Sequence, residues 1–82
     1  MIKVEIEFIG MLRKFNNWKP RITLELPDGT TGREALKLFD LEQGVSREMG
    51  FLVVNGKKYT KNDTVTLKDG DKAKAFPRSF GG

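Results

Sequence analysis

The sequence predicts an α+β domain in which one main helix packs on one face of a mixed sheet of four to five strands. Three observations carry this. Residues 2–8 and 22–26 alternate apolar and polar side chains with the period of a half-buried strand. A single stretch with helical spacing, opened by Thr31 and Glu34, lies between the strand-like segments. The length of 82 residues leaves room for one small core, with 38% apolar and 32% charged residues to divide between interior and solvent.

Ile2, Val4, Ile6 and Phe8 alternate with Lys3, Glu5 and Glu7, and Gly10 ends the run. Residues 11–20 read as a loop carrying Arg13, Lys14 and the only tryptophan, Trp18. Ile22, Leu24 and Leu26 then alternate with Arg21, Thr23 and Glu25 as far as Pro27-Asp28-Gly29, so the two strands form an antiparallel pair joined by a long loop. In the helix, the Thr31 hydroxyl and the Glu34 carboxylate stand in capping-box spacing, each able to satisfy an orphan backbone N–H. Ala35, Leu36 and Phe39 continue one face with Leu38 on its flank, Gly44 is the expected stop, and residues 44–50 form a connector.

Phe51–Val54 is a short apolar run expected as a buried strand, ended by the Asn55-Gly56 turn. Residues 57–67 are weakly patterned, with Tyr59, Val65 and Leu67 as their inward side chains. Asp69-Gly70-Asp71 turns the chain into a last strand, Lys72–Phe76, closed by Pro77, which has no N–H for a ladder. The domain is thus assigned to residues 1–76 and a flexible tail to 77–82. One helix must shield the apolar side of the whole sheet, and the β-grasp arrangement accommodates this order of elements most simply. Ile2, Val4, Ile6, Ile22, Leu24, Phe39, Leu67 and Ala75 are expected to be buried.

The chain contains no cysteine and no histidine. That removes disulfides, thiol and imidazole nucleophiles, and the usual ligands of structural zinc, iron–sulfur clusters and haem. No apolar run approaches the roughly 18 residues of a membrane span, and the charged alternation from Met1 onward is not that of a signal peptide. A cytoplasmic protein with no membrane partner is expected. The net charge is +4, and residues 1–56 carry eight charges of each sign, so the excess lies in residues 57–82.

Several motifs fail on their chemistry. Five residues separate Gly50 from Gly56-Lys57 where a phosphate loop has four, and Lys58 stands where a hydroxyl would meet magnesium. Asp69-Gly70-Asp71 lacks the acidic spacing and distal glutamate of a calcium loop. Asn62-Asp63-Thr64 has the form of a glycosylation sequon, a match expected by chance in a chain without a signal peptide. Lys57, Lys58, Lys61, Lys68, Lys72, Lys74 and Arg78, with Tyr59 and Phe76 as stacking partners, could meet a nucleic acid. The modest charge and the lack of an aromatic motif argue against it, and lysines also protect sheet edges.

The C-terminus carries the chemistry. Alternation through the last strand puts Ala73 and Ala75 on the packed side and Phe76 on the other, where an exposed ring beside the tail is a candidate partner contact. Gly81-Gly82 has no side chains to obstruct a narrow channel. The reactive group at this end is the α-carboxylate of Gly82, which becomes an acyl donor only after activation by a separate enzyme.

The sequence resembles the MoaD/ThiS family of ubiquitin-like sulfur carrier proteins. Val54-Asn55-Gly56, Leu67-Lys68-Asp69-Gly70-Asp71, Phe76-Pro77 and Gly81-Gly82 follow that family's closing pattern in order and spacing. Met11-Leu12-Arg13 and Leu24-Glu25-Leu26-Pro27-Asp28-Gly29 are similar to the branch that holds the small subunit of molybdopterin synthase. The long loop after the first strand favours that branch over the thiamine-pathway carriers. The resemblance implies a carrier or co-substrate and not an enzyme. A ubiquitin-activating-type adenylating enzyme (MoeB/ThiF-like) would use ATP and magnesium to adenylate Gly82, and a persulfide donor would convert it to a thiocarboxylate.

The sulfur would then pass to the molybdopterin precursor on the large synthase subunit. Gly82 would react, Gly81 would give access, Phe76, Pro77, Arg78 and Phe80 would meet partners, and the carrier would bind no cofactor itself. A ubiquitin-like modifier joined through Gly82 to target lysines uses the same tail and stays open, as does a basic RNA-binding module. The chain departs from the family pattern in Arg78-Ser79-Phe80, which replaces a Pro-Val-small segment, and in its basic C-terminal third. It departs also at Gly32, where an apolar residue is usual and glycine is expected to loosen the helix start.

Overall fold

The alternation at the N-terminus produces strand β1, Ile2–Phe8, whose Ile2, Val4, Ile6 and Phe8 side chains are all buried in the computed structural model. The structure describes residues 1–39, 41, 49–60 and 65–78. Strands β2 (Arg21–Leu26), β3 (Met49–Val54), β4 (Lys57–Thr60) and β5 (Lys72–Pro77) complete one sheet in the order β2-β1-β5-β3-β4. β1 pairs antiparallel with β2, β3 antiparallel with β4 and β5, and β1 and β5 run parallel at the centre. Parallel neighbours need a long crossover. Here everything from residue 9 to residue 71 lies between them, including the helix α1, Gly32–Lys37, that covers the core face. This is the mixed β-grasp sheet expected from the sequence.

The capping box forms as the spacing predicts. The Glu34 N–H donates to the Thr31 hydroxyl oxygen (3.1 Å), and the Thr31 N–H donates to the Glu34 carboxylate (3.0 Å). Gly32 does not loosen this start. Its N–H donates to the Val65 carbonyl (2.7 Å), and a Cβ placed on it would stand 2.9 Å from Leu52 Cδ2 and 3.0 Å from Val65 Cγ1. The absent side chain lets the first helical turn lie directly on β3 and on the segment before β5. Leu67 N–H donates to Thr30 O (2.8 Å) beside the Thr31–Thr66 bridge, so the entry to the helix is tied to the segment that leads into β5. The helical stretch is only six residues, continuing as a turn through Leu38 and Phe39. The expected stop at Gly44 lies outside the described residues.

The core contains Ala35, Leu36, Leu41, Leu52, Val54, Leu67, Ala73 and Ala75 with the β1 set. Ile22, Leu24 and Phe39, expected as buried, are half-buried and pack against it. For Ile22 and Leu24 the reason is position: β2 is a sheet edge, so the core covers them from one side only. Phe39 meets Phe8 edge-on, with ring centroids 5.0 Å apart.

A second correction concerns residues 11–20, read as an irregular loop. Gly10–Asn16 forms a 3-10 helix that buries Leu12 and the amide side chain of Asn16. Turns elsewhere follow the sequence. Asn55 and Gly56 take positive φ (50° and 86°), as a two-residue hairpin requires. The Asp69-Gly70-Asp71 carboxylates are engaged as turn acceptors: Asp69 takes the Lys3 N–H (2.8 Å), and Asp71 takes the Lys68 N–H (2.8 Å) and the Asn55 amide (2.8 Å).

Two predictions follow from the helix start. Gly32→Val should destabilise the domain by about 1–3 kcal/mol through overpacking against Leu52 and Val65, read from the urea unfolding midpoint. The Glu34 carboxyl is held below its ordinary pKa by the Thr31 backbone N–H first and the Thr31 hydroxyl second. A carboxylate depressed in the folded state contributes stability that is present above its unfolded pKa and lost as pH falls through the folded value. The stability gap between the wild type and Glu34→Gln should therefore narrow on acidification below the ordinary carboxylate range; a gap independent of pH would contradict the cap's charge.

Candidate functional site

The described part of the C-terminal segment ends where β5 leaves the sheet. Ala73 and Ala75 face the core, so alternation turns Lys72, Lys74 and Phe76 to the open face, as expected. Phe76 is half-buried and not fully exposed, which corrects the expectation. Its cross-strand partner is Phe51 of β3, and the two rings stack with centroids 4.7 Å apart and planes 12° from parallel. Lys58 of β4 places its ammonium 4.5 Å from the Phe51 ring centroid. Lysine and two rings thus form a row across three neighbouring strands, on the face opposite the helix. Phe51 was legible only as a member of a buried run; its role as the platform for Phe76 depends on the β3–β5 register.

The register also explains the exit of the tail. Met49 stands opposite Pro77 and Phe51 opposite Phe76, so Gly50 is an extra residue, a bulge in β3. A Cβ on Gly50 would stand 2.9 Å from both Arg78 Cα and the Pro77 carbonyl oxygen. Backbone crosses backbone here at a distance no side chain permits. On the other side, Pro77 Cγ lies 3.9 Å from the point where a Gly10 Cβ would be, and Ile9 N–H donates to Ala75 O (3.0 Å). Pro77 is half-buried and Arg78 exposed. Phe80, Gly81 and Gly82 lie outside the described residues, so of the expected site the structure describes Phe76, Pro77 and Arg78.

Electrostatics divide the open face. Glu5 and Glu7 of β1 stand opposite Lys72 and Lys74 of β5 in the parallel ladder, and Glu7 also meets Arg21 Nε at 3.7 Å. The lysine excess on β4 and β5 is thus balanced on one flank only. Tyr59 lies opposite Leu52 and packs against the core cluster, with Lys57 5.3 Å from its ring, whereas Phe76 is on the other face. The two aromatics weighed as nucleic-acid stacking partners do not form one surface. Among the described residues no group of acidic side chains is arranged to hold a metal ion, and no helix is long and apolar enough to cross a membrane.

Phe76→Ala should cost the ring pair, worth about 0.5–1.5 kcal/mol beyond area burial, plus the burial of a half-covered ring, and still fall short of the roughly 3–5 kcal/mol of a core Phe→Ala. Chemical denaturation decides between the two, and a loss in the higher range would make Phe76 a core residue. Gly50→Val should displace the backbone of Pro77 and Arg78, seen as amide and carbon shift changes at those residues while β1 and β2 stay unchanged.

No protein-family model matches the sequence, and no curated protein matches it. Solved structures do. A Pyrococcus furiosus protein assigned as molybdopterin converting factor, subunit 1, superposes with a TM-score of 0.69 at 22% identity, over 94% of this chain and 98% of that one. The Haloferax volcanii HVO 2177 protein gives 0.73 at 21% identity, over 99% and 87%. SAMP1 from Haloferax volcanii gives 0.70 at 15% identity, over 98% and 99%. The chain therefore has the ubiquitin-like β-grasp fold of these small proteins over nearly its whole length.

Proposed function

We propose that the protein is a sulfur carrier of the MoaD type, working through the carboxylate of Gly82 as the terminal residue. The observation that carries this is the way β5 ends. A central strand delivers its last residues over Gly50, beside the Phe76–Phe51–Lys58 row, in a fold shared with a molybdopterin converting factor subunit. With no histidine or cysteine in the sequence, this reading assigns the covalent step to the Gly82 carboxylate.

The chemistry needs a ubiquitin-activating-type enzyme with ATP and magnesium. A Gly82 carboxylate oxygen attacks the α-phosphorus, the bond to the leaving pyrophosphate breaks, and an acyl-adenylate forms. The terminal sulfur of a persulfide donor then attacks the carbonyl carbon and expels AMP, giving an acyl disulfide. A second thiolate attacks the donor-side sulfur, forming a disulfide with the donor and releasing Gly82 as a thiocarboxylate. The acceptor would be the molybdopterin precursor, held by a large synthase subunit. The domain contributes position: Phe76, Pro77 and Arg78 dock the tail root, and Gly81 passes the channel without a side chain.

A second use of the same activated Gly82, as a modifier, would replace the persulfide by a target lysine amine and leave an isopeptide bond. The ubiquitin-like fold shared with SAMP1 suits both outcomes.

Deleting Gly82, appending an alanine, or making Gly81→Val should abolish adenylation while leaving the domain folded, since displacements of about 1 Å from near-attack geometry cost about a hundredfold in rate. Pyrophosphate release checks this. Intact mass after incubation with activating enzyme, ATP and persulfide donor should rise by the exchange of one oxygen for sulfur. Isopeptide-linked adducts without that mass change would favour the modifier, and normal activation of the extended chain would sink both.

A further inference from the structure

Residues 8–22 hold Arg13, Lys14, Lys19 and Arg21 and no acidic residue. Within this basic stretch the 3-10 helix ends in two successive non-glycine residues with left-handed backbone, Asn17 (φ 52°) and Trp18 (φ 65°). Bulky side chains rarely adopt that conformation, and it persists only where the surroundings over-determine it. Here they do. The buried Asn16 amide donates to the Lys19 carbonyl (3.0 Å) and the Arg21 carbonyl (3.2 Å). Trp18 N–H donates to Arg13 O (2.8 Å), Lys19 N–H to Asn16 O (2.9 Å), and Phe8 N–H to Pro20 O (2.7 Å).

What this tightly pinned knuckle presents is an indole 59% exposed, outside every ring pair and cation–π contact of the described residues. Met11, at the other end of the same segment, is 63% exposed. A rigid, exposed tryptophan in a segment that also carries an exposed methionine and the cations Arg13 and Lys19 has the composition of a protein-docking anchor.

Its location gives it a partner. β1 and β5 are parallel, so the knuckle and the tail leave the sheet at the same end, with Gly10 against Pro77. Gly82 stands four residues beyond Arg78, about 14 Å at full extension. A protein that holds the Gly82 carboxylate is therefore within reach of the knuckle. We infer that the Gly10–Arg21 knuckle is a second docking element, with Trp18 seated in an apolar, acid-rimmed pocket of the adenylating enzyme that receives the tail. The inference rests on the carrier reading for the identity of the enzyme, and on charge complementarity for the rim: Arg21 is answered by Glu7, whereas Arg13 and Lys19 meet no carboxylate among the described residues and favour carboxylates opposite.

The test uses the single tryptophan as its reporter. Chain labelled with 5-fluorotryptophan gives one fluorine resonance, titrated without ATP with the ubiquitin-activating-type enzyme of the same genome. The resonance should shift on binding for the wild type and also for the chain lacking Gly82. Trp18→Gly, which frees the left-handed backbone and so keeps the fold, should raise KM for adenylation about ten- to a hundredfold with kcat unchanged. Lys19→Glu should lower the association rate and flatten its salt dependence.

Normal adenylation with an unmoved resonance, or with KM unchanged in Trp18→Gly, overturns the docking element and leaves the carrier function standing. A shifted resonance with no adenylation does the reverse. Neither binding nor adenylation overturns both, and quenching by single-stranded RNA in place of the enzyme would reassign the knuckle to nucleic acid.

Discussion

The parallel pairing of β1 and β5 is the constraint on which the rest of the domain depends. The last strand to be made must enter the middle of the sheet, between β1 and β3, and both its edges must find partners there. Its core-facing residues are Ala73 and Ala75, the smallest side chains that still exclude water. They stand beside Ile6 and Phe8 in the parallel ladder and beside Val54 and Leu52 in the antiparallel one. Small residues at the centre leave the volume to Phe8, Leu36 and Leu41, which are fully buried. The domain closes only when its C-terminal strand is in place, so an exposed tail root comes with a completed fold.

Two glycines serve that closure by absence of a Cβ. Gly32 lets the helix rest against Leu52 and Val65, and Gly50 lets Pro77 and Arg78 cross β3. Neither needs a positive φ; each is required by proximity. The first sets how the cover sits on the sheet, and the second sets the path by which the chain leaves it. Core packing and the open-face ring pair meet in the same strand, because β3 carries Leu52 on its core face and Phe51 on its open face.

The end of the sheet where β1 and β5 finish gathers the features a partner would use. Phe76, Phe51 and Lys58 lie on the open face, Pro77 is lodged against Gly10 and Gly50, and the knuckle holds Trp18 outward. The opposite end is built for closure, with Asn55, Asp69 and Asp71 consuming backbone and side-chain donors. Charge follows a related division, with Glu5 and Glu7 answering Lys72 and Lys74 at the centre while Lys58 lies beyond them over an aromatic ring.

Local chemistry made much of this legible in the sequence. Period-two alternation gave β1 and β2, Thr31 and Glu34 marked the helix start, and Asn55-Gly56 and Gly70 marked turns, because each signal is set by residues within a few positions of one another. The face of Phe76 followed from the two alanines for the same reason. Tertiary structure alone decided what distant segments do to each other. The half-exposure of Ile22 and Leu24 comes from β2 being an edge, a fact of strand order. The stacking of Phe76 on Phe51 comes from a register shifted by one bulge residue. The 3-10 helix, with no periodicity to announce it, buries Leu12 and ends on an Asn16 amide that donates to the Lys19 and Arg21 carbonyls. Gly32, whose weak helix propensity argues for a loose start, is instead a point of closest packing, because Leu52 and Val65 arrive there from elsewhere in the chain.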